Sequence, residues 1–148
     1  MAFFAVQPIL FTDFASPNKF LSLSGLQVLV VDDNTDTRTL IGLILEEFSA
    51  QVRTVTSARD ALEVLAQWQV DVLISDIAMP RENGCLLIRC IRMQEDKRVS
   101  QIPAIAITAW MTEHGRAIAF ESGFDMYIEK PIDPEGLAVA IAQLVGRK

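Results

Sequence analysis

Val70-Asp71-Val72-Leu73-Ile74-Ser75-Asp76-Ile77-Ala78-Met79-Pro80 is the stretch from which the fold can be read. A run of β-branched and aliphatic residues ends in Asp76, and Met79-Pro80 stops any strand shortly afterwards. An apolar run bounded by turn signals reads as a buried strand of a parallel sheet. A carboxylate at the C-terminal end of such a strand lies where open α/β sheets bind their ligands. Two further stretches end alike. Val28-Leu29-Val30-Val31 runs into Asp32-Asp33, and Ile105-Ala106-Ile107 runs into Thr108. Three strand ends thus deliver Asp-Asp, Asp and Thr to one edge of an apolar scaffold.

On either side of these runs the chain alternates between two periods. Leu26–Val31 reads as a first strand, and Asn34 caps a helix expected through about Phe48. Leu40, Ile44 and Phe48, joined by Ile41 and Leu45, form the apolar face of that helix. Gln51–Val55 alternates in polarity, which suits an edge strand. Ser57 with Asp60 resembles a capping box opening a helix with Ala58, Ala61, Leu62 and Leu65 inward. Val70–Ser75 is the third strand, and Asn83-Gly84 turns into a helix burying Leu87, Ile88 and Ile91. Pro103–Ile107 is the fourth strand, followed by a helix that Gly123 stops in a left-handed cap. Asp125–Ile128 is a short fifth strand. Asp133 and Pro134 then open a last helix with Leu137, Ile141, Leu144 and Val145 inward. Five β-α units imply a three-layer α/β sandwich around a five-stranded parallel sheet.

Composition narrows the function. The 148 residues are 51% hydrophobic, enough for one domain with a single good core. A net charge of −6 with no Lys/Arg cluster argues against direct nucleic-acid binding. Cys85 and Cys90 fall in a helical stretch at poor spacing for a metal pair, and are expected to be buried, reduced thiols of a cytosolic protein. The single histidine, His114, rules out a His-based metal cluster. Residues 1–24 have no clear period and read as an extension or linker ahead of a domain at 25–148. Their apolar start lacks a basic flank before Lys19 and is interrupted by Gln7-Pro8. It reads as neither signal peptide nor membrane span, so a cytoplasmic location without membrane insertion is expected.

Asp32-Asp33, Asp76, Thr108-Ala109 and Lys130-Pro131 together resemble the receiver domain of two-component response regulators. The resemblance covers about residues 26 to 145. VVDD closes the first strand, SDIAMP the third, ITA the fourth and YIEKP the fifth. It implies a flavodoxin-like fold with strand order 2-1-3-4-5 and the site at the topological switch point. It also implies that Asp76 is phosphorylated by a histidine kinase or its phosphotransfer domain. Mg²⁺ would then be held by Asp33, Asp76 and the Ala78 backbone carbonyl, with Asp32 acting largely through water. Thr108 and Lys130 would meet the phosphoryl oxygens, Ala109 would leave room for them, and a cis Lys130-Pro131 bond would aim the lysine at the site. Tyr127 matches the family's switch aromatic. The underlying chemistry is general: a carboxylate can accept a phosphoryl group if carboxylate-held Mg²⁺, a hydroxyl and an ammonium neutralise the phosphoryl charge.

Taken singly, each motif has an ordinary explanation: a helix cap for Asp32-Asp33, a helix-start residue for Thr108, a solvated lysine for Lys130, a half-buried strand tyrosine for Tyr127. Their convergence favours the functional reading. The sequence departs from the common pattern at Ala78 and at the bulky Trp110, which leaves the phosphoryl lifetime open. A haloacid dehalogenase-like phosphatase would want a second aspartate where Ala78 stands. A nucleotide-binding module would want GxGxxG or GxxxxGK after a strand, and neither occurs. A receiver-like interaction module that is never phosphorylated would usually have lost part of the acidic pocket. The expected protein is therefore no enzyme beyond its own phosphorylation and dephosphorylation. With two residues after Gly146, no output domain is expected behind the last helix. A stand-alone regulator and a module of a hybrid histidine kinase both stay open, as do homodimerisation and the downstream partner.

Overall fold

Successive residues of a strand point to opposite faces, and here both faces are apolar. The computed structural model describes residues 21–77, 84–109 and 112–146. Its strands are β1 (Gln27–Val31), β2 (Gln51–Val55), β3 (Val72–Asp76), β4 (Ala104–Thr108) and β5 (Met126–Glu129). The helices are α1 (Thr35–Glu47), α2 (Ala58–Gln67), α3 (Gly84–Arg92), the short α4 (Lys97–Ser100), α5 (Glu113–Ser122) and α6 (Pro134–Leu144). All strand pairs are parallel, in the order β2-β1-β3-β4-β5.

The pleat divides the core in two. Val28 and Val30 of β1, Ile74 of β3, and Ile105 and Ile107 of β4 pack with Ile41 and Leu45 of α1 and Leu137 and Ile141 of α6. Leu29, Val31, Leu73, Ala104 and Ala106 face the other way, onto Leu65 of α2, Leu87, Ile88 and Ile91 of α3 and Ala119 of α5. β3 and β4 are buried throughout, whereas β2 and β5 are the partly exposed edges. From β1 the chain goes to β2 on one side and then to β3 on the other. This reversal opens a crevice between the C-terminal ends of β1 and β3.

Local signals behave as their chemistry requires. Asn34, Ser57, Thr112 and Asp133 each accept a backbone N–H at a helix start, and Gly123 ends α5 at φ 128°. Leu23 is fully buried and donates its N–H to the Phe48 carbonyl at 2.7 Å, tying the residues before β1 to the end of α1.

Three expectations need correction. Leu40 is 46% exposed, because α1 turns Ile41, Ile44 and Leu45 toward the sheet and places Leu40 on the rim. Cys90 is exposed while Cys85 is buried: five positions apart, they are about 140° apart around α3. Helix α4 was not foreseen; its four residues are too few to show a period, although Asp96 caps it through the Arg98 N–H. The expected turn residue Asn83 lies outside the described residues.

The two leucines of α1 should behave differently. Leu45→Ala, at a site with no exposed surface, should cost about 2–5 kcal/mol in urea unfolding. Leu40→Ala should stay within about 0.5 kcal/mol of wild type. Equal losses would contradict the orientation of α1.

Candidate functional site

The polar residues of the crevice are set by the ends of four strands, β1 supplying both Asp32 and Asp33. Asp32 follows β1, where its N–H donates to the Val55 carbonyl at 3.2 Å and continues the sheet pairing by one residue. The chain then turns into α1, so that the Asn34 N–H donates to Asp32 Oδ1 at 2.8 Å. Arg38, one turn into α1, holds the Asp32 carbonyl through Nη1 at 2.7 Å. Asp76 is the last residue of β3, and the following Ile77 N–H still donates to Ile107. Lys130 follows β5, its N–H donating to the Thr108 carbonyl at 2.8 Å, and the Lys130-Pro131 peptide is cis.

These constraints converge on a small charged cluster. Lys130 Nζ lies 3.3 Å from Asp32 Oδ2 and 3.3 Å from Asp76 Oδ2. One carboxylate oxygen from each of Asp32, Asp33 and Asp76 lies within 4.8 Å of the others. Asp32 and Asp76 are buried and Asp33 is exposed. Three carboxylates, two of them buried, against one ammonium leave an excess of negative charge at the site. Burial raises the Asp32 pKa above its usual value, and the Asp76 charge adds to the rise. The Asn34 amide and Lys130 oppose it. Hard oxygen donors with an excess of negative charge suit a divalent cation of the Mg²⁺ class.

Of the residues anticipated from sequence, Asp32, Asp33, Asp76 and Lys130 come together here. Thr108 is buried at the end of β4, beside the strand that ends in Asp76 and joined through its carbonyl to Lys130. Ala109 follows it. Ala78 and Trp110 lie outside the described residues. Tyr127 sits on β5 opposite Ala106, partly buried and packed on the core beneath α2, α3 and α5. Its hydroxyl would be 3.8 Å from a Cβ added at Gly115 of α5, which places it between β5 and that helix.

Two residues of the site were missed. A Cβ at Gly84 would collide with the Asp76 carbonyl and lie 2.8 Å from Ile77 Cα, so only glycine lets α3 start against the end of β3. Its signal was present: a glycine opening an apolar helical run, where it is normally found closing one. Arg38 had no signal, because nothing in the sequence says which arginine turns back to a carbonyl.

Asp32 ionises less readily folded than unfolded. Protonated Asp32 therefore favours the fold; that contribution is complete below 3.8 and lost as pH rises through the higher folded value. Without divalent cations, Asp32→Asn should melt above wild type at pH 7, and the gap should close below pH 3.8. A lower melting temperature for the variant at pH 7 would contradict this electrostatic balance.

Residues 28–142 match the response regulator receiver domain family. Over 82% of its length the chain is 39% identical to the uncharacterized 14.6 kDa protein in the sodA1 3′ region of Leptolyngbya boryana, spanning 92% of that protein. It is 34% identical to the transcriptional regulatory protein GltR of Pseudomonas aeruginosa over 86% of this chain, but spans only 52% of GltR. Among solved structures, the receiver domain of sensor histidine kinase PA1611 from Pseudomonas aeruginosa superposes with a TM-score of 0.74 at 27% identity. That match covers 83% of this chain and 99% of that one, and the PA1611 domain carries a magnesium ion coordinated in its active-site cleft. With the matched span running from the first strand into the last helix, the chain belongs to the response regulator receiver domain family of two-component systems.

Proposed function

We propose that Asp76 is the residue on which this receiver domain takes up a phosphoryl group from a histidine kinase or its phosphotransfer domain. The observation that carries the reading is the shared ammonium: Lys130 reaches the carboxylates of both Asp32 and Asp76, with Asp33 in the same cluster. An Asp76 oxygen attacks phosphorus, an O–P bond forms, and the P–N bond to the donor imidazole breaks. Lys130, already at the Asp76 carboxylate, and the Thr108 hydroxyl, drawn in from the neighbouring strand end, meet the phosphoryl oxygens in place of water. Both Asp32 oxygens have protein donors, Asn34 N–H and Lys130, which suits Asp32 to act on a cation through water. Asp33 and Asp76 would then be the direct carboxylate ligands, with the Ala78 carbonyl as a further one. Mg²⁺, when bound there, offsets the repulsion between these carboxylates and the incoming phosphoryl group.

On this reading residues 25–148 are the receiver, residues 1–24 are its extension, and the only reaction catalysed is the domain's own phosphorylation and dephosphorylation. A cytoplasmic setting follows from its kinase donor. No helix among the described residues is long and apolar enough to cross a membrane. Incubation with a small phosphodonor and Mg²⁺ should add one phosphoryl group, detected by intact mass. Asp76→Asn or removal of the metal should abolish the addition. Full labelling of Asp76→Asn would overturn the assignment.

The output follows from the same geometry. A phosphoryl group on Asp76 adds charge and acceptor oxygens beside the end of β4, and draws the Thr108 hydroxyl toward it. Tyr127, between β5 and α5, is placed to fill the space left behind. It borders a groove of about 530 Å³ that includes Phe120 of α5, Ile128 of β5 and Ala140 of α6, a surface suited to a protein partner. Beryllofluoride, a phosphoryl mimic, should move the NMR signals of Tyr127 and of residues 112–122. Changes confined to residues 32, 76, 108 and 130 would refute the switch.

A further inference from the structure

Far from the carboxylates, Arg92 makes five donations from one guanidinium. Leaving the last turn of α3, its Nε and Nη2 donate to the Gly123 carbonyl at 3.0 and 2.8 Å. Nη1 donates to the carbonyls of Ser100 and Ile102 at 3.0 and 2.6 Å. Nη2 also meets Asp125 Oδ2 at 3.1 Å, and that oxygen accepts the Ala104 N–H at 2.9 Å. A planar, permanently charged fork is the side chain that can bind several carbonyls in fixed directions at once. Gly123 and Ser100 lie at the C-terminal ends of α5 and α4, where helix carbonyls carry partial negative charge. The fit at Gly123 is close: a Cβ there would lie 2.9 Å from Arg92 Cγ, and its φ of 128° already disfavours any other residue.

Helix α5 is held unevenly. Its buried residues, Ala119 and Ser122, are both in its C-terminal half. Glu113, His114 and Arg116 at the other end are exposed. The cap at that end, Thr112 Oγ1 accepting the Gly115 N–H at 2.9 Å, joins the helix to itself and travels with it. Arg92, by contrast, fastens the C-terminal end of α5 to α3, to the approach to β4 and to the start of β5.

We propose that Arg92 is a positioning residue that makes α5 a lever: it pins the C-terminal end of the helix, so that a displacement at Thr108 tilts the N-terminal half about Gly123 instead of sliding the whole helix. The pin is a property of the resting fold, whereas its use in signalling rests on the phosphoacceptor reading of Asp76.

Amide hydrogen exchange on the full chain tests the pin directly. In the unliganded wild type, residues 119–124 should exchange more slowly than residues 113–117. Arg92→Met should speed exchange at 119–126 by roughly tenfold or more, while amides of β1 and β3 keep their rates. If Arg92→Met fails to fold, Arg92→Lys, which keeps the stem and charge but lacks the fork, serves in its place. Uniform exchange along α5, or a variant that accelerates every amide alike, would overturn the pin and leave Arg92 a general staple. With beryllofluoride, wild-type changes should fade before Gly123 and should extend to Phe124 and Met126 in the variant. Changes at residues 76 and 108 with α5 and Gly123 shifting as one block would sink the lever but leave the phosphoacceptor reading intact. No change at residues 76 and 108 would sink that reading instead, and the exchange gradient of the unliganded protein would still decide the pin.

Discussion

Two buried carboxylates share one ammonium, and the rest of the crevice is arranged around that imbalance. Asp32 and Asp76 lie at the ends of adjacent parallel strands, so the sheet itself brings like charges together in a place that water barely reaches. Lys130 offsets part of the charge from a third strand end. Burial, with the Asp76 charge added, still raises the Asp32 pKa, so an ionised Asp32 in the unliganded site opposes folding. A fold that only had to be stable would place apolar side chains here. Keeping three carboxylates and supporting them with Asn34, Arg38 and Gly84 makes sense if a cation and a phosphoryl group complete the site.

Most of this was legible because the signals were local. Strands buried on both faces read as continuous apolar runs, and a turn residue marks each end, so β1, β3 and β4 could be placed to within a residue or two. Asp32, Asp33 and Asp76 were legible for the same reason, at the ends of such runs, whereas Lys130, after the partly exposed β5, stood out only through the resemblance. What the sequence hid was orientation. Leu40 and Leu45 are equally apolar, and which of them faces the sheet depends on how α1 rolls against it. Cys85 and Cys90 differ in the same way on α3. Long-range hydrogen bonds were beyond reach for a related reason, since the spacing of Arg92 from Gly123 and Asp125 carries no period.

Two glycines with a steric role stand at opposite edges of the sheet. Gly84 lets α3 abut the backbone of Asp76, at the C-terminal edge of the sheet. Gly123 lets the Arg92 side chain press against the end of α5, at the N-terminal edge. Helix α3 is thus fixed at both ends, its first residue against the proposed phosphoacceptor and its last side chain against the approach to β4. Such a helix makes a poor moving part. Its neighbour α5, which touches α3 and β5 and is gripped at one end, makes a better one.

The charged residues of the site sit at the C-terminal ends of the strands, and the Arg92 contacts sit at the N-terminal ends of β4 and β5. A five-residue strand such as β4 separates the two edges by roughly 15 Å. Buried, doubly covered strands deform little over that distance, because β4 is paired on both edges and packed on both faces. A change at Thr108 therefore has little prospect of travelling down β4 as a displacement of the strand. A shorter route lies outward, since only three positions of the sequence separate Thr108 from the Thr112 cap of α5. With the far end of that helix fastened to the rigid edge, a small shift near Thr108 becomes an angular change of an exposed surface. The separation of a chemical edge from a mechanical edge thus lets a rigid sheet serve a movable output.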